Sequence, residues 1–145
     1  MELRYGRLDE LTIREIYEIF RLRVSVFVVE QNCPYQEIDD ADKEAIHMWL
    51  EEDGRIMAYL RVIPAGLVFD QVSIGRVIAV KRRCGLATRL IKEGIKTAAE
   101  ELGATEIVLE AQTYARSLYE KLGFCQISEE FLEDGIPHIK MRLEI

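Results

Sequence analysis

The chain has 145 residues with a formal net charge of −7; 49% of the residues are hydrophobic and 31% charged. That is enough for one domain over residues 1–145 with a core of its own. No apolar run reaches the roughly 20 residues a membrane helix needs, and the single dense basic cluster, Lys81-Arg82-Arg83, is too local for the phosphate-reading face of a nucleic-acid binder. Cys33, Cys84 and Cys125 form no CxxC pair, and the opening "MELRYGRLDELT" shows no secretory leader pattern, so no disulfide framework, zinc site or membrane is expected and a reducing cytoplasm is the expected location.

In chain order, residues 2–6 read as a short strand. In "LTIREIYEIFRLRV" Thr12 and Glu15 form a capping box, and Leu11 and Ile16 can staple the helix entry. Ile13, Ile16, Tyr17 and Phe20 mark one face, which predicts a helix to about Arg23. The next segment, "VSVFVVEQ", carries Val24, Val26, Phe27, Val28 and Val29. Its composition favours strand, whereas its place directly after a helix favours more helix, and periodicity leaves residues 24–31 open between the two. "NCPYQEIDDADKE" is an acidic loop broken by Pro34.

Ala45 to Glu52 and Arg55 to Pro64 form two strands about "EDGR", an Asp-Gly hairpin signal, and Gln71 to Val80 forms the next. Leu86 to Leu102 is a helix with a stripe of Leu86, Leu90, Ile91, Ile95, Ala98 and Leu102 and with Gly103 just past its end. Gly94 inside it costs about 1 kcal/mol relative to Ala. Thr105 to Ala111 is a strand and Tyr114 to Leu122 a short helix closed by Gly123. Phe124 to Leu132 and Ile136 to Ile145 are the last strands, about "EDGI". In the final one Ile139, Met141, Leu143 and Ile145 share one side, and Lys140, Arg142 and Glu144 the other. The order predicts an α+β fold whose mixed, mostly antiparallel sheet of six to seven strands is flanked by helices, with a β-α-β crossover supplying a parallel pair.

The stretch "IGRVIAVKRRCGLATRLI" turns from strand to helix through Arg82-Arg83-Cys84-Gly85-Leu86-Ala87. A helix start exposes about four unpaired N–H groups and carries partial positive charge. Gly85 removes a side chain there, Ala87 keeps another position small, and Arg82 and Arg83 add charge, which makes a pocket for a diphosphate built from backbone donors. The same residues also suit an ordinary glycine-containing β-α turn. The spacing is neither GxxxxGK[ST] nor GxGxxG.

Arg82-x-x-Gly85-x-Ala87 resembles the acyl-CoA signature Q/R-x-x-G-x-G/A of the GCN5-related N-acetyltransferase (GNAT) superfamily, with Ala87 where a second glycine is commoner. The blocks "LRVSVFVVEQNCPYQEIDDAD", "IGRV", "LYEKLGF" and "EDGIPHIKMRL" are similar to the ElaA-like branch of that superfamily and span Leu22 to Leu143. The resemblance implies the GNAT fold and an N-acetyltransferase that uses acetyl-CoA as co-substrate, without metal, to acetylate a primary amine in a ternary complex. The backbone of Arg82, Arg83, Cys84, Gly85, Leu86, Ala87 and Thr88 would hold the CoA pyrophosphate. The pantetheine arm would run along Ile78, Ala79 and Val80, in a slot opened where this strand splays from Thr105–Ala111. A backbone N–H near Ile78 or Val80 would stabilise the developing oxyanion.

Tyr119 in "SLYEKLGF" matches the tyrosine that protonates the departing thiolate in this family, although it also lies on an apolar stripe with Leu118 and Leu122. Glu110 is the expected general base, near the end of a strand beside the slot. Glu30, Asp39, Asp42, His47 and His138 are further candidates, and the choice stays open. Arg76 in "IGRV" is expected to pair with a nearby acid rather than to steer a substrate. Cys84 is read as a small loop residue, and "EIDDADKE" lacks EF-hand spacing. The acceptor, a small-molecule or protein amine, is open, as is a homodimer through the final strands. The other readings of the same residues are a non-catalytic acyl-CoA-binding or regulatory module and an interaction protein that pairs through a strand edge.

Overall fold

The computed structural model describes residues 1–82 and 84–145; Arg83, assigned above to the phosphate loop, lies outside the described residues. Strand β1 (Glu2–Arg7) leads through one 3₁₀ turn into helix α1 (Ile13–Val24). The capping box forms as the sequence dictates: Glu15 N–H donates to Thr12 Oγ1 at 3.1 Å, and Thr12 N–H donates to Glu15 Oε1 at 2.8 Å. The open question over residues 24–31 resolves as helix, because Ser25–Glu30 continues α1 as a wider π turn. Valine-rich composition loses to packing here, since Val26 and Phe27 lie against the buried Ile19, Trp49, Tyr59 and Ile78.

Strands β2 (Ile46–Glu52) and β3 (Arg55–Ile63) close at Asp53-Gly54, both with positive φ, as the Asp-Gly signal requires. Strand β4 (Val72–Ala79) follows, then α2 (Leu86–Leu102), β5 (Glu106–Gln112), α3 (Arg116–Lys121), β6 (Cys125–Gln126), β7 (Phe131–Glu133) and β8 (Ile136–Glu144). The sheet order is β1-β2-β3-β4-β5-β8-β6, with β7 also on β8, and β4–β5 is the parallel pair. The mixed, mostly antiparallel sheet is thus as expected, with eight strands rather than six to seven. The difference lies in Phe124–Leu132, which breaks into β6 and β7. At the break Ser128 Oγ accepts the Lys140 N–H at 2.9 Å, so a side chain takes the place of a ladder carbonyl.

Helices α2 and α3 cover one face. Leu90, Ile91 and Ala98 of α2 and Tyr119 of α3 share one buried cluster with Leu60, Ile74, Ile107, Leu109 and Met141. Gly94 has a reason that propensity does not show. A Cβ there would lie 3.3 Å from both Leu60 methyls and 3.4 Å from Ile74 Cδ1, so glycine lets α2 settle on β3 and β4. Helix α1 and its π turn cover the opposite face through Ile19, Phe20, Leu22 and Val26.

Candidate functional site

Strands β4 and β5 start side by side and then part. Their register joins Val72 to Ile107 and Ser73 to Val108 and goes no further, although β4 runs on to Ala79 and β5 to Gln112. The splay expected between these strands is therefore present. At its wide end lies a cleft of about 380 Å³ lined by Gln31, Arg82, Gln112, Tyr114 and Ile136. The start of α2 stands at the same end.

Gly85 caps α2 with φ +72°, a left-handed conformation that a side chain makes costly, and among the described residues no side chain caps the helix start. The first helical bond is Arg89 N–H to the Gly85 carbonyl at 3.0 Å, and the first turn carries no acid. The amides of Leu86, Ala87 and Thr88 thus begin a helix with its positive end bare, the arrangement that holds a phosphate. Exposed Cys84 turns its Sγ back to the Arg82 carbonyl at 3.5 Å. Among the described residues no three His, Cys, Asp or Glu side chains gather as a metal-ligand set.

On β4 the strand donors need a correction. Val80 N–H donates to the Met57 carbonyl of the β2–β3 side at 2.9 Å, so it is not free for a thioester. Opposite residues Tyr59 and Ile78 repeat that facing two residues back. Main-chain groups alternate along a strand, so Val77 and Ala79, rather than Ile78 and Val80, face the widening slot. Strand β4 also carries one extra residue: Tyr59 pairs with Ile78 and Arg61 with Gly75, leaving Arg76 and Val77 across from Leu60. In this bulge the left-handed position is taken by Arg76, φ +54°, and not by its neighbour Gly75.

Arg76 pairs internally, as expected. Its Nε donates to Glu37 Oε2 at 2.5 Å and its Nη2 to the Glu37 carbonyl at 3.0 Å; Asp39 Oδ2 lies 3.6 Å away and the Tyr35 ring lies under the guanidinium. The pair belongs to a larger buried network that the sequence reading missed. Arg23, fully buried at the end of α1, donates to both oxygens of Glu37 at 2.8–3.1 Å and to Asp42 at 2.6 and 3.0 Å. Arg61 of β3 donates to Asp39 at 2.6 and 3.0 Å and to Asp42 at 2.9 Å. The available signal was a charge inside otherwise apolar runs, Arg23 in "FRLRVSVF" and Arg61 in "AYLRVI", which demands a buried partner.

This network removes most of the base candidates. Burial raises the carboxyls of Asp39 and Asp42, but the hydrogen bonds and charge of Arg61 and Arg23 outweigh it and hold both below the usual range. His47 is buried, donates Nε2–H to the Asp42 carbonyl at 3.0 Å, and accepts the Tyr59 hydroxyl on Nδ1 at 2.7 Å. Burial lowers its pKa, so it is a neutral structural group. Glu30 is exposed at the end of the π turn, and His138 donates Nδ1–H to the Ile136 carbonyl at 2.7 Å.

Glu110 differs. It lies two residues past the last β4 partner on β5, at the parting of the strands, directly across from Lys140. Burial pushes its carboxyl up to about 7, helped by a hydrogen bond and like charge from Glu133, while Lys140 pulls the other way. A carboxyl poised near neutrality can take a proton from an ammonium and give it up again. Tyr119 on α3 has a buried ring set edge-on to Phe124, with centroids 5.7 Å apart, and its hydroxyl makes no hydrogen bond among the described residues. Burial, with a smaller contribution from Tyr114, drives its pKa far up, so the phenol keeps its proton.

The sequence profile of the acetyltransferase (GNAT) domain family matches residues 15–145. A UPF0039 protein of Schizosaccharomyces pombe is 39% identical, covering all of this chain and 98% of its relative. The crystal structure of ElaA from Escherichia coli superposes with a TM-score of 0.91 at 33% identity, and that of an acyl-CoA N-acyltransferase from Pseudomonas aeruginosa with 0.91 at 36%, each pair covering 99% of both chains. These matches run over nearly the whole length of the chain, and the chain belongs to the GNAT acetyltransferase family, in its ElaA-like branch.

Proposed function

We propose that this protein moves an acetyl group from acetyl-CoA to a primary amine by direct attack within a ternary complex. The observation that carries the reading is the parting of β4 from β5 after two residue pairs, with the uncapped start of α2 at its open end. Such a slot accepts an extended thioester arm as an added strand, and the amides of Leu86, Ala87 and Thr88, with Arg82 beside them, receive its diphosphate. Bound acetyl-CoA supplies the activated acyl carbon.

The chain's own groups then move the protons. Glu110 accepts a proton from the incoming ammonium, so that a neutral amine forms the C–N bond. A β4 amide that faces the slot stabilises the oxyanion. Tyr119 gives its proton to the sulfur as the C–S bond breaks, and the second proton shed by the new amide nitrogen restores the phenol. A Glu110 carboxyl titrating near 7 supports its part in this division of roles.

Mass spectrometry of an amine panel, small molecules and peptides alike, incubated with acetyl-CoA tests the proposal. The expected result is an acceptor heavier by one acetyl group with stoichiometric CoA release. Binding of acetyl-CoA with no release in the presence of any amine would make the protein an acyl-CoA-binding module. No thermal shift with acetyl-CoA would remove both readings.

A further inference from the structure

We propose that Arg76 is a positioning residue, whose guanidinium, clamped to the 35–39 loop, holds the β4 bulge so that the Val77 N–H points into the slot as the donor to the thioester carbonyl. This rests on the acyl-transfer reading above. Three observations lead to it. The bulge inserts Arg76 and Val77 opposite Leu60, and Leu60 pairs with Met48 of β2 on its other side. Tyr59 and Arg61, the β3 residues that face β4, are matched to Ile78 and Gly75, so β3 offers the extra residue no ladder partner.

Second, Arg76 adopts φ +54° although glycine stands next to it. A left-handed backbone is costly for an arginine relative to its ordinary conformations, so something must hold it. Third, the holder is visible. Glu37 takes Arg76 by side chain and carbonyl, Asp39 adds charge and Tyr35 gives a ring face. Glu37 is itself fixed by fully buried Arg23, and Asp39 by Arg61. The acidic loop is thus a rigid template, with Arg76 its link to β4. An arm entering from the start of α2 passes Ala79 before it reaches Val77, which places the thioester end at the bulge.

The test follows backbone amide shifts of the ¹⁵N-labelled protein during titration with CoA and with acetyl-CoA. In the native protein the Leu86 and Ala87 amides are expected to move with either ligand, and the Val77 amide to move further with acetyl-CoA alone. Arg76→Gly accepts the left-handed φ without the clamp, Arg76→Ala accepts neither, and Arg76→Lys keeps charge without the fork. All three leave Glu37 paired with Arg23, so the fold is expected to survive. Both Gly and Ala variants should keep the Leu86 and Ala87 shifts while the acetyl-specific Val77 shift falls several-fold, with Lys between. A full Val77 shift in Arg76→Gly overturns the clamp. An acetyl-specific shift at Ala79 or Ile78 in place of Val77 in the native protein overturns the donor. No movement at Leu86 and Ala87 with CoA instead defeats the acyl-transfer reading itself.

Discussion

Replacing Glu110 by Gln keeps the size of the side chain and removes its titration. In the folded protein the carboxyl titrates near 7, against 4.5 for a free glutamate, because of burial and the neighbouring Glu133. The fold therefore binds this proton more tightly than the unfolded chain does. Stability from that preference is complete below pH 4.5 and is lost as pH rises through 7. At 1.4 kcal/mol per unit the shift corresponds to about 3 kcal/mol. The side chain is only half-buried, so solvent screening reduces this to about 1–2 kcal/mol. Urea unfolding of both proteins at pH 5 and pH 8 reads it. Native protein should lose about 1–2 kcal/mol relative to Glu110→Gln between the two pH values, so that the variant gains on it in alkaline buffer. An identical difference at both pH values would show that Glu110 titrates like an exposed carboxylate, and the base assignment would go with it. Once an acceptor is known, the acidic limb of the native rate profile should lie near 7 and be absent in the variant.

Four further substitutions at three positions probe separate parts. Gly85→Glu should weaken CoA binding at least ~100-fold by calorimetry, through charge at the phosphate site. Gly85→Ala, whose Cβ meets nothing within 4 Å, should lose only several-fold through roughly 1 kcal/mol of φ strain; equal losses would mean that the loop does not meet the phosphates. Tyr119→Phe should slow turnover about 10²-fold and leave acetyl-CoA affinity and melting temperature unchanged, since the hydroxyl has no partner among the described residues; an unaltered rate returns Tyr119 to packing alone. Arg23→Leu should cost about 3 kcal/mol, the low end for breaking a buried ion pair, because Glu37 retains Arg76 and Asp42 retains Arg61. For a chain of this size that is a drop in melting temperature of roughly 6–12 °C, and a change under 2 °C would make the network ornamental.

What was readable in the sequence is what local chemistry controls. Helix α2 begins and ends where Gly85 and Gly103 place it, both with positive φ, and both Asp-Gly hairpins form. The glycine turn into α2, proposed above to meet the phosphates, was legible for the same reason, since a helix start is a local object. What stayed open, was missed or was misread lies where a distant contact decides. Ser25–Glu30 has strand composition, yet helical continuation onto Trp49 and Tyr59 wins. Phe124–Leu132 was read as one strand, but the Ser128 hydroxyl interrupts the ladder. In "IGRV" the glycine is the natural candidate for a left-handed bulge, yet Arg76 holds it because Glu37, 39 residues away, grips its side chain. Val80 was misassigned as a donor because which strand face points at β3 depends on register, which that bulge shifts.

Two residue pairs are all that the sheet ladder contributes across the line between β4 and β5. Most of the remaining contact between the amino-terminal and carboxy-terminal halves is apolar, Leu60 and Ile74 from one, Ile107, Leu109 and Met141 from the other, with a few side-chain ties such as Gln112 to Gln31. Ladder bonds are directional and resist rotation; oily contact is not and tolerates a small slide. The molecule is joined like a clothes peg, by ladder bonds at one end of this line and by side chains at the other, so the strands can spread at the open end without rupturing a single main-chain bond.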